Sequence, residues 1–368
     1  MFIYLFSIIV LFITSYTRYN PKTEKVLFVL LAIFLCFGYM CGSDWRNYES
    51  EFYSNFSHRA VEPGYMFISN LLVNNGVGFW VFHTITKVLC WCSFLHIFKL
   101  LWPERNLGFP LMLFMASFGF FLFIDCPFRN LISVAIFLLF IPCLEKKKYL
   151  LYIIGVLLAS SFHLSAFCFV VLPFLNINKF SNKILLLLYF TVFIVLLSGL
   201  DQVLVNFVLS PFPFLHSKVL AYEDSELIQG GVISIGLILR LICLFGMLYF
   251  RDRLYAEGKH FIFSMCYIYL ILSLFSYSMP ILFRVPLFLS PFFVLMEAEI
   301  INYFLNDRTR TVLKFFYLMV ALTITIRTAS SVYLVPYTNV IPYWIKGRYP
   351  SYVQRSNYNF EHSPYRFK

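Results

Sequence analysis

The stretch Tyr149–Leu175 reads YLLYIIGVLLASSFHLSAFCFVVLPFL and holds no Asp, Glu, Lys or Arg. Such a run belongs in a bilayer, yet it exceeds the ~20 residues that one helix needs to cross. A polar step, Ser160-Ser161-Phe162-His163, falls near its middle. The run either crosses once or enters, breaks at the step and returns as a re-entrant or hairpin pair. That choice orients everything after it, and the distribution of charge arbitrates.

Outward from this run, apolar segments recur along the whole chain. Hydrophobic residues make up 60% and charged residues 13%, against roughly 25% charged in an ordinary globular chain. So few charges could not cover a soluble surface. The reading is an all-α polytopic membrane protein. About ten full transmembrane helices are expected, near 2–17, 25–42, 79–101, 108–124, 128–144, 183–200, 231–250, 260–279, 281–301 and 311–331. Residues 1–331 form a single transmembrane domain with outer loops 43–78 and 201–230. A Tyr-rich tail, 332–368, follows on the outer face. The first outer loop carries a short interfacial helix over Gly64–Leu72, with Tyr65, Ile68, Leu71 and Leu72 at helical spacing.

The formal charge is +11, from 29 Lys and Arg against 18 Asp and Glu. If 149–175 returns, the cytoplasmic connections collect most of the cations, from Arg18 through Lys146-Lys147-Lys148 to Lys314. If it crosses once, Arg251, Arg253 and Lys259 switch sides and the bias weakens. The returning version is preferred, with both termini outside. Cysteines placed at Lys179 and Ser225 are then expected to label from opposite sides; same-side labelling would discard the hairpin.

Several function classes drop out. Most of the nine cysteines lie inside apolar segments, where Cys behaves as a small hydrophobe. No Cys or His set has zinc spacing, so no metal is expected. There is no Gly-rich phosphate loop and no internal repeat, and neither cofactor nor nucleic acid is implied. The Met1–Thr17 segment reads as a retained helix rather than a cleaved signal.

Ionisable groups at membrane depth are functional candidates. Arg129 opens a span after Asp125-Cys126-Pro127-Phe128, where free helix amides already favour an anion. It either binds a diphosphate or carboxylate or pairs with Asp125 or lipid phosphate. Arg284 lies between Pro280 and Pro286, which suggests an irregular helix start facing a cavity; snorkelling to headgroups is the alternative. Arg240 sits deep in its span with no sequence-local acid. Lys87, His83 and His96 read as packed residues. His163, at the break, is either a proton-transfer group, a phosphate ligand or a structural histidine. Asp44 stands at the outer end of a span in Cys41-Gly42-Ser43-Asp44, and Glu62 precedes the interfacial helix, where capping is the simple explanation. Glu49, Glu51 and the 223–226 acidic patch read as solvated loop charges. Asn55-Phe56-Ser57 fits the glycosylation triplet, which is too short to carry weight.

These motifs together resemble the EpsG-like, Wzy-type polymerases of bacterial surface polysaccharides, O-antigen polymerases among them. The carrying residues are Gly42-x-Asp44-x-x-x-Tyr48, Glu62-x-Gly64-Tyr65, Phe128-Arg129-Asn130-x-Ile132-x-x-Ala135, Phe162-His163-x-Ser165-Ala166 and the late Arg284. The resemblance implies a metal-independent inner-membrane glycosyltransferase acting on undecaprenyl-diphosphate-linked oligosaccharides, with its active site on the periplasmic or outer side. Arg129, Arg284 and Arg240 would hold the diphosphate. Asp44, or else Glu62 or His163, would take the acceptor proton. Tyr48, Tyr65 and Tyr337 would stack on sugars, and a chain-length regulator protein would be a partner. The alternatives are a transporter or flippase of lipid-linked sugars, for which helices should repeat pseudo-symmetrically, and a lipid-linked glycan ligase with a different acceptor.

Overall fold

The computed structural model describes residues 1–54, 62–199, 234–278 and 280–365. The expected outer loop 201–230, its acidic patch and the Asn55-Phe56-Ser57 triplet lie outside the described residues. In chain order the helices are α1 (Phe2–Thr14), α2 (Pro21–Cys36), α3 (Trp45–Tyr53), α4 (Pro63–Asn74), α5 (Phe79–Leu101), α6 (Gly108–Phe114), α7 (Phe128–Glu145) and α8 (Tyr149–Ser160). They continue as α9 (Asn182–Leu197), α10 (Ile235–Tyr249), α11 (Arg251–Ala256), α12 (His260–Ser278), α13 (Ser290–Tyr303), α14 (Asp307–Ala329), α15 (Ile341–Lys346) and α16 (Tyr352–His362). Among the described residues the only sheet is the two-residue pair of β1 (Gly38–Tyr39) and β2 (Thr338–Asn339).

The apolar helices make this a multi-pass membrane protein. Those long and apolar enough to cross are Phe79–Leu101, Phe128–Glu145, Leu282–Tyr303 and Asp307–Ala329. Shorter apolar helices cover Phe2–Thr14, Gly108–Gly119, Tyr149–Ser160, Leu164–Phe174, Asn182–Leu197, Ile235–Tyr249 and His260–Ser276. Large apolar side chains stand bare on them, such as Leu150 at 77% and Leu187 at 66% exposed. Water would not tolerate such faces, whereas lipid does. The span expected over 25–42 is cut short. α2 ends at Cys36, and Gly38-Tyr39 turn to pair with the tail.

The break in 149–175 falls where the polar step marked it. α8 stops at Ser160, and a 3-10 segment runs from Leu164 to Phe174. The step is polar because its groups must find partners without water. Ser160 Oγ donates to Val156 O (2.8 Å), Ser161 Oγ to Leu158 O (2.7 Å) and Ser133 Oγ to Ala159 O (2.8 Å).

The chain divides into two compact units, Met1–Phe167 with Asn306–Lys368, and Cys168–Leu305. In the first, α7 packs against α5 and α8, and α1 against α6 and α14. The tail is fastened to the same unit. Tyr4 Oη donates to Leu334 O (2.7 Å), Gly42 N to Tyr333 O (2.8 Å) and Arg46 to Ser356 O (2.8 Å).

Residues 43–78 hold two helices, not one. α3 was hidden by its polarity, although Trp45, Tyr48, Glu49 and Phe52 recur at helical spacing and are all buried. Glu49 is therefore not a solvated loop charge. It is 4% exposed and accepts from Arg355 (2.7 Å) and Trp80 Nε1 (3.2 Å).

In the second unit α12 packs against α9 and α13, with Tyr269 stacked on Phe293 at 4.5 Å. The α11–α12 connection is tied by charge. Lys259 bridges Glu257 (2.6 Å) and Glu299 (2.5 Å). Burial alone would raise the Glu257 pKa, but hydrogen bonds from Lys259, Tyr303 and Arg253 outweigh it and hold the carboxyl at about 2. A depressed pKa stabilises the fold above the ordinary carboxylate range, and that contribution is lost as pH falls toward the folded value. Glu257→Gln is expected to flatten the pH dependence of thermal unfolding in detergent between about pH 5 and pH 2. A slope equal to that of the unaltered protein would show that Glu257 does not couple to folding.

Candidate functional site

Helix caps mark where the chain spends acids differently. Asn20, Ser181, Ser234, Asn306 and Ser351 each bond a first-turn amide of the helix they precede. Asp44 and Glu62 stand at the same position before α3 and α4 and make no such bond. The simple capping role for Glu62 is thus corrected: its carboxylate is turned elsewhere.

It is turned to Arg129. Arg129 Nη1 donates to Glu62 Oε2 at 2.7 Å, and both side chains are 24% exposed. The expected alternative partner, Asp125, instead accepts from Ser43 N (2.8 Å) and Ser43 Oγ (2.9 Å). The chain reaches Arg129 through Cys126, whose left-handed φ of 58° ends the π-helical turn Phe121–Asp125. Pro127 then precedes α7 with no side-chain cap. The first-turn amides of α7 lack intrahelical partners, as at any helix start, and lie beside the guanidinium.

The other motifs converge on this corner. The Arg129 guanidinium lies 5.6 Å from the Tyr48 ring centroid. Tyr48, Tyr65 and Phe128 form a triangle of edge-on rings with centroids 5.9–6.0 Å apart. Gly64 N donates to Ser161 O at 2.8 Å, and a Cβ on Gly64 would lie 2.4 Å from Ser161 Oγ. Only glycine lets α4 start against the break after α8. Asn130 Nδ2 donates to Ser165 Oγ (3.4 Å), which lies 2.6 Å from His163 Nδ1. Gly42, at φ 96°, admits equally close passage: a Cβ there would lie 2.5 Å from Ile124 O. Four separated motifs thus build one wall.

His163 Nδ1 also accepts from Ser165 N at 3.3 Å. In the neutral ring this assignment puts the proton on Nε2. His163 therefore suits donation toward an anion better than abstraction of a proton.

Not every expected residue joins the wall. Tyr48 and Tyr65 belong to it but are buried, at 5% and 0% exposed, so neither ring offers a free face for stacking. Tyr337 lies elsewhere in this unit, donating to Phe34 O at 2.6 Å and packing on Phe34 and Tyr4; it fastens the tail. In the second unit, Arg284 ends the 3-10 turn Pro280–Arg284 and is half-buried, an irregular start of the kind its flanking prolines suggested. The Arg240 guanidinium lies 5.9 Å from the Tyr269 ring.

Sequence reasoning passed over two buried acids. Glu297 and Glu299, at 2% and 1% exposed, lie on α13; an acid pair within an apolar span was the available signal. Lys87 and His83 are packed, as expected, at 1% and 3% exposed. The His83 ring lies 4.7 Å from the Phe128 ring with neither ring nitrogen hydrogen-bonded among the described residues.

A multi-pass helical membrane protein with a corner of arginine, acid and histidine narrows the class, and the sequence settles the family. The chain belongs to the EpsG family, matching it over residues 23–344. No curated protein and no solved structure matches significantly. Membership points to a polysaccharide-polymerase-like, glycosyltransferase type of function.

Proposed function

We propose that this chain polymerises a bacterial surface polysaccharide of the O-antigen type. The growing glycan leaves undecaprenyl diphosphate and joins the next undecaprenyl-diphosphate-linked repeat unit, at the outer side of the cytoplasmic membrane. An acceptor hydroxyl oxygen attacks the anomeric carbon of the donor. The bond from that carbon to the diphosphate oxygen breaks, its electron pair leaves on the diphosphate, and the hydroxyl proton passes to a carboxylate.

The observation that carries the reading is the Arg129–Glu62 pair at the uncapped start of α7. A guanidinium beside free helix amides is suited to a diphosphate, and charge developing on the leaving group is where such donors act. Glu62 neutralises Arg129 until an anion takes its place. His163, protonated on Nε2, can add a donor. Asp44 is the proposed base. It sits one helical turn before Tyr48, and so shares the face of α3 over which Arg129 lies. Arg284, in the second unit, keeps the role that the resemblance implies, and Arg284→Ala is expected to abolish elongation. The role of a metal in other transferases falls here to arginine.

The test is an assay of the purified full-length protein in lipid with lipid-linked repeat units. Ladders of lengthening glycan support polymerisation. A lone transfer to another acceptor would mean a ligase, and lipid movement without product would remove the enzyme reading.

A further inference from the structure

A cleft of about 500 Å³ opens on the first unit between α3 and α16, lined by Glu49, Ser50, Tyr53, Ser54, Tyr352 and Arg355. Its residues play no part in the Arg129 corner. We infer that it is a glycan-binding subsite, which holds sugar units of the polysaccharide while the chemistry proceeds elsewhere on the unit. The inference rests on the polymerase reading for the identity of the sugar, but its structural grounds are separate.

The first ground is an unfinished hydrogen-bond set at the base of the cleft. Glu49 and Arg355 side chains are 5% and 11% exposed and pair at 2.7 Å. Glu49 Oε1 takes both Arg355 and Trp80, while its Oε2 has no partner among the described residues. Arg355 Nη1 donates to Pro350 O at 2.6 Å, and its guanidinium also serves the Tyr39 hydroxyl. Groups this deeply placed ordinarily find partners. The spare acceptor, Glu49 Oε2 of a fixed ion pair, matches the donating hydrogen of a sugar hydroxyl. An anion would be repelled by Glu49, and a cation by Arg355. A neutral polyol is opposed by neither.

The second ground is aromatic. Tyr53 is 57% and Tyr352 43% exposed, unlike the buried Tyr48 and Tyr65. Each is held by its hydroxyl: Phe79 N donates to Tyr53 Oη (3.0 Å), and Tyr352 Oη donates to Arg46 O (3.3 Å). Anchored hydroxyls fix the rings while leaving apolar surface bare. The C–H faces of a pyranose need such a platform, and a ring beside directed polar groups is the usual chemistry of small-ligand recognition. Ser50 and Ser54 add hydroxyls along the same side of α3.

The probe is the lipid-free repeat-unit oligosaccharide released by mild acid from the host's own polysaccharide, titrated against the full-length protein in lipid nanodiscs. The protein is expected to bind it. Tyr53→Ala and Tyr352→Ala should each weaken binding by about tenfold or more, while Tyr352→Phe, which keeps the ring and loses only its anchor, should weaken it distinctly less. In the ladder assay Tyr352→Ala should raise KM for the acceptor and leave kcat nearly unchanged. No binding by the parent protein, or equal binding by the alanine variants, overturns the subsite. The two readings fail separately. Tyr352-dependent binding without ladders would end the polymerase reading and keep the subsite. Ladders with Tyr352-independent binding would do the reverse.

Discussion

Arg129→Ala is expected to stop glycan elongation, slowing it by about 100-fold or more, while the protein still inserts and folds. The two halves of that expectation have different grounds. Catalytically, the guanidinium belongs to the uncapped first turn of α7, so its loss removes the stabilisation that the leaving diphosphate would require. Structurally, its contacts are few: an ion pair with both partners 24% exposed, and the Tyr48 side chain, which it faces and hydrogen-bonds. Partly exposed pairs contribute little to folding, and Tyr48 also packs on Tyr65 and Phe128. Arg129→Lys should recover only part of the rate, because an ammonium lacks the planar fork that matches phosphate. The measurement is ladder length and rate with lipid-linked repeat units, beside a check of membrane insertion. Near-normal ladders from Arg129→Ala would take the residue out of the site.

The parts of this architecture that follow local rules were readable in advance. Apolar length marked the helices, and Ser160-Ser161-Phe162-His163 marked the break, because serine hydroxyls in an apolar run turn back onto the carbonyls of the last helical turn. What local rules do not carry is which distant side chain answers which. Asp125 is four residues from Arg129 and was the obvious partner, yet the geometry gives it to Ser43 and gives Glu62 to Arg129. Sequence proximity misled there because Cys126 turns the chain between the two residues. Similarly, Tyr48 and Tyr65 were legible as members of the site but not as buried members, since an aromatic in a loop reads the same whether its face is open or packed. Glu49 failed for the converse reason. Its partners, Trp80 and Arg355, come from α5 and α16, and no pattern within α3 announces them.

The same geometry separates the two carboxylates, and Asp44→Asn is expected to lower kcat by about 100-fold or more, with Glu62→Gln falling much less. A general base must be ionised and within reach of the acceptor at the moment of attack. Glu62 is committed: its Oε2 is bound to Arg129 at 2.7 Å. When a diphosphate displaces it, Glu62 stands next to that anion, which favours its role as a placeholder for negative charge. Glu62→Gln should therefore leave Arg129 less neutralised and tighten binding of undecaprenyl diphosphate, seen as stronger product inhibition. Asp44 is placed differently. Its side chain makes no capping bond to α3 and accepts from Ser43 Oγ at 3.3 Å, one helical turn before Tyr48, whose ring lies under Arg129. The pH profile of kcat separates a base from a merely structural acid: Asp44→Asn should lose the acidic limb, while Glu62→Gln keeps it. If instead Glu62→Gln loses that limb and Asp44→Asn turns over normally, the proton goes to Glu62. Arg129 would then work by releasing that carboxylate as the diphosphate arrives, which couples donor binding to activation of the acceptor.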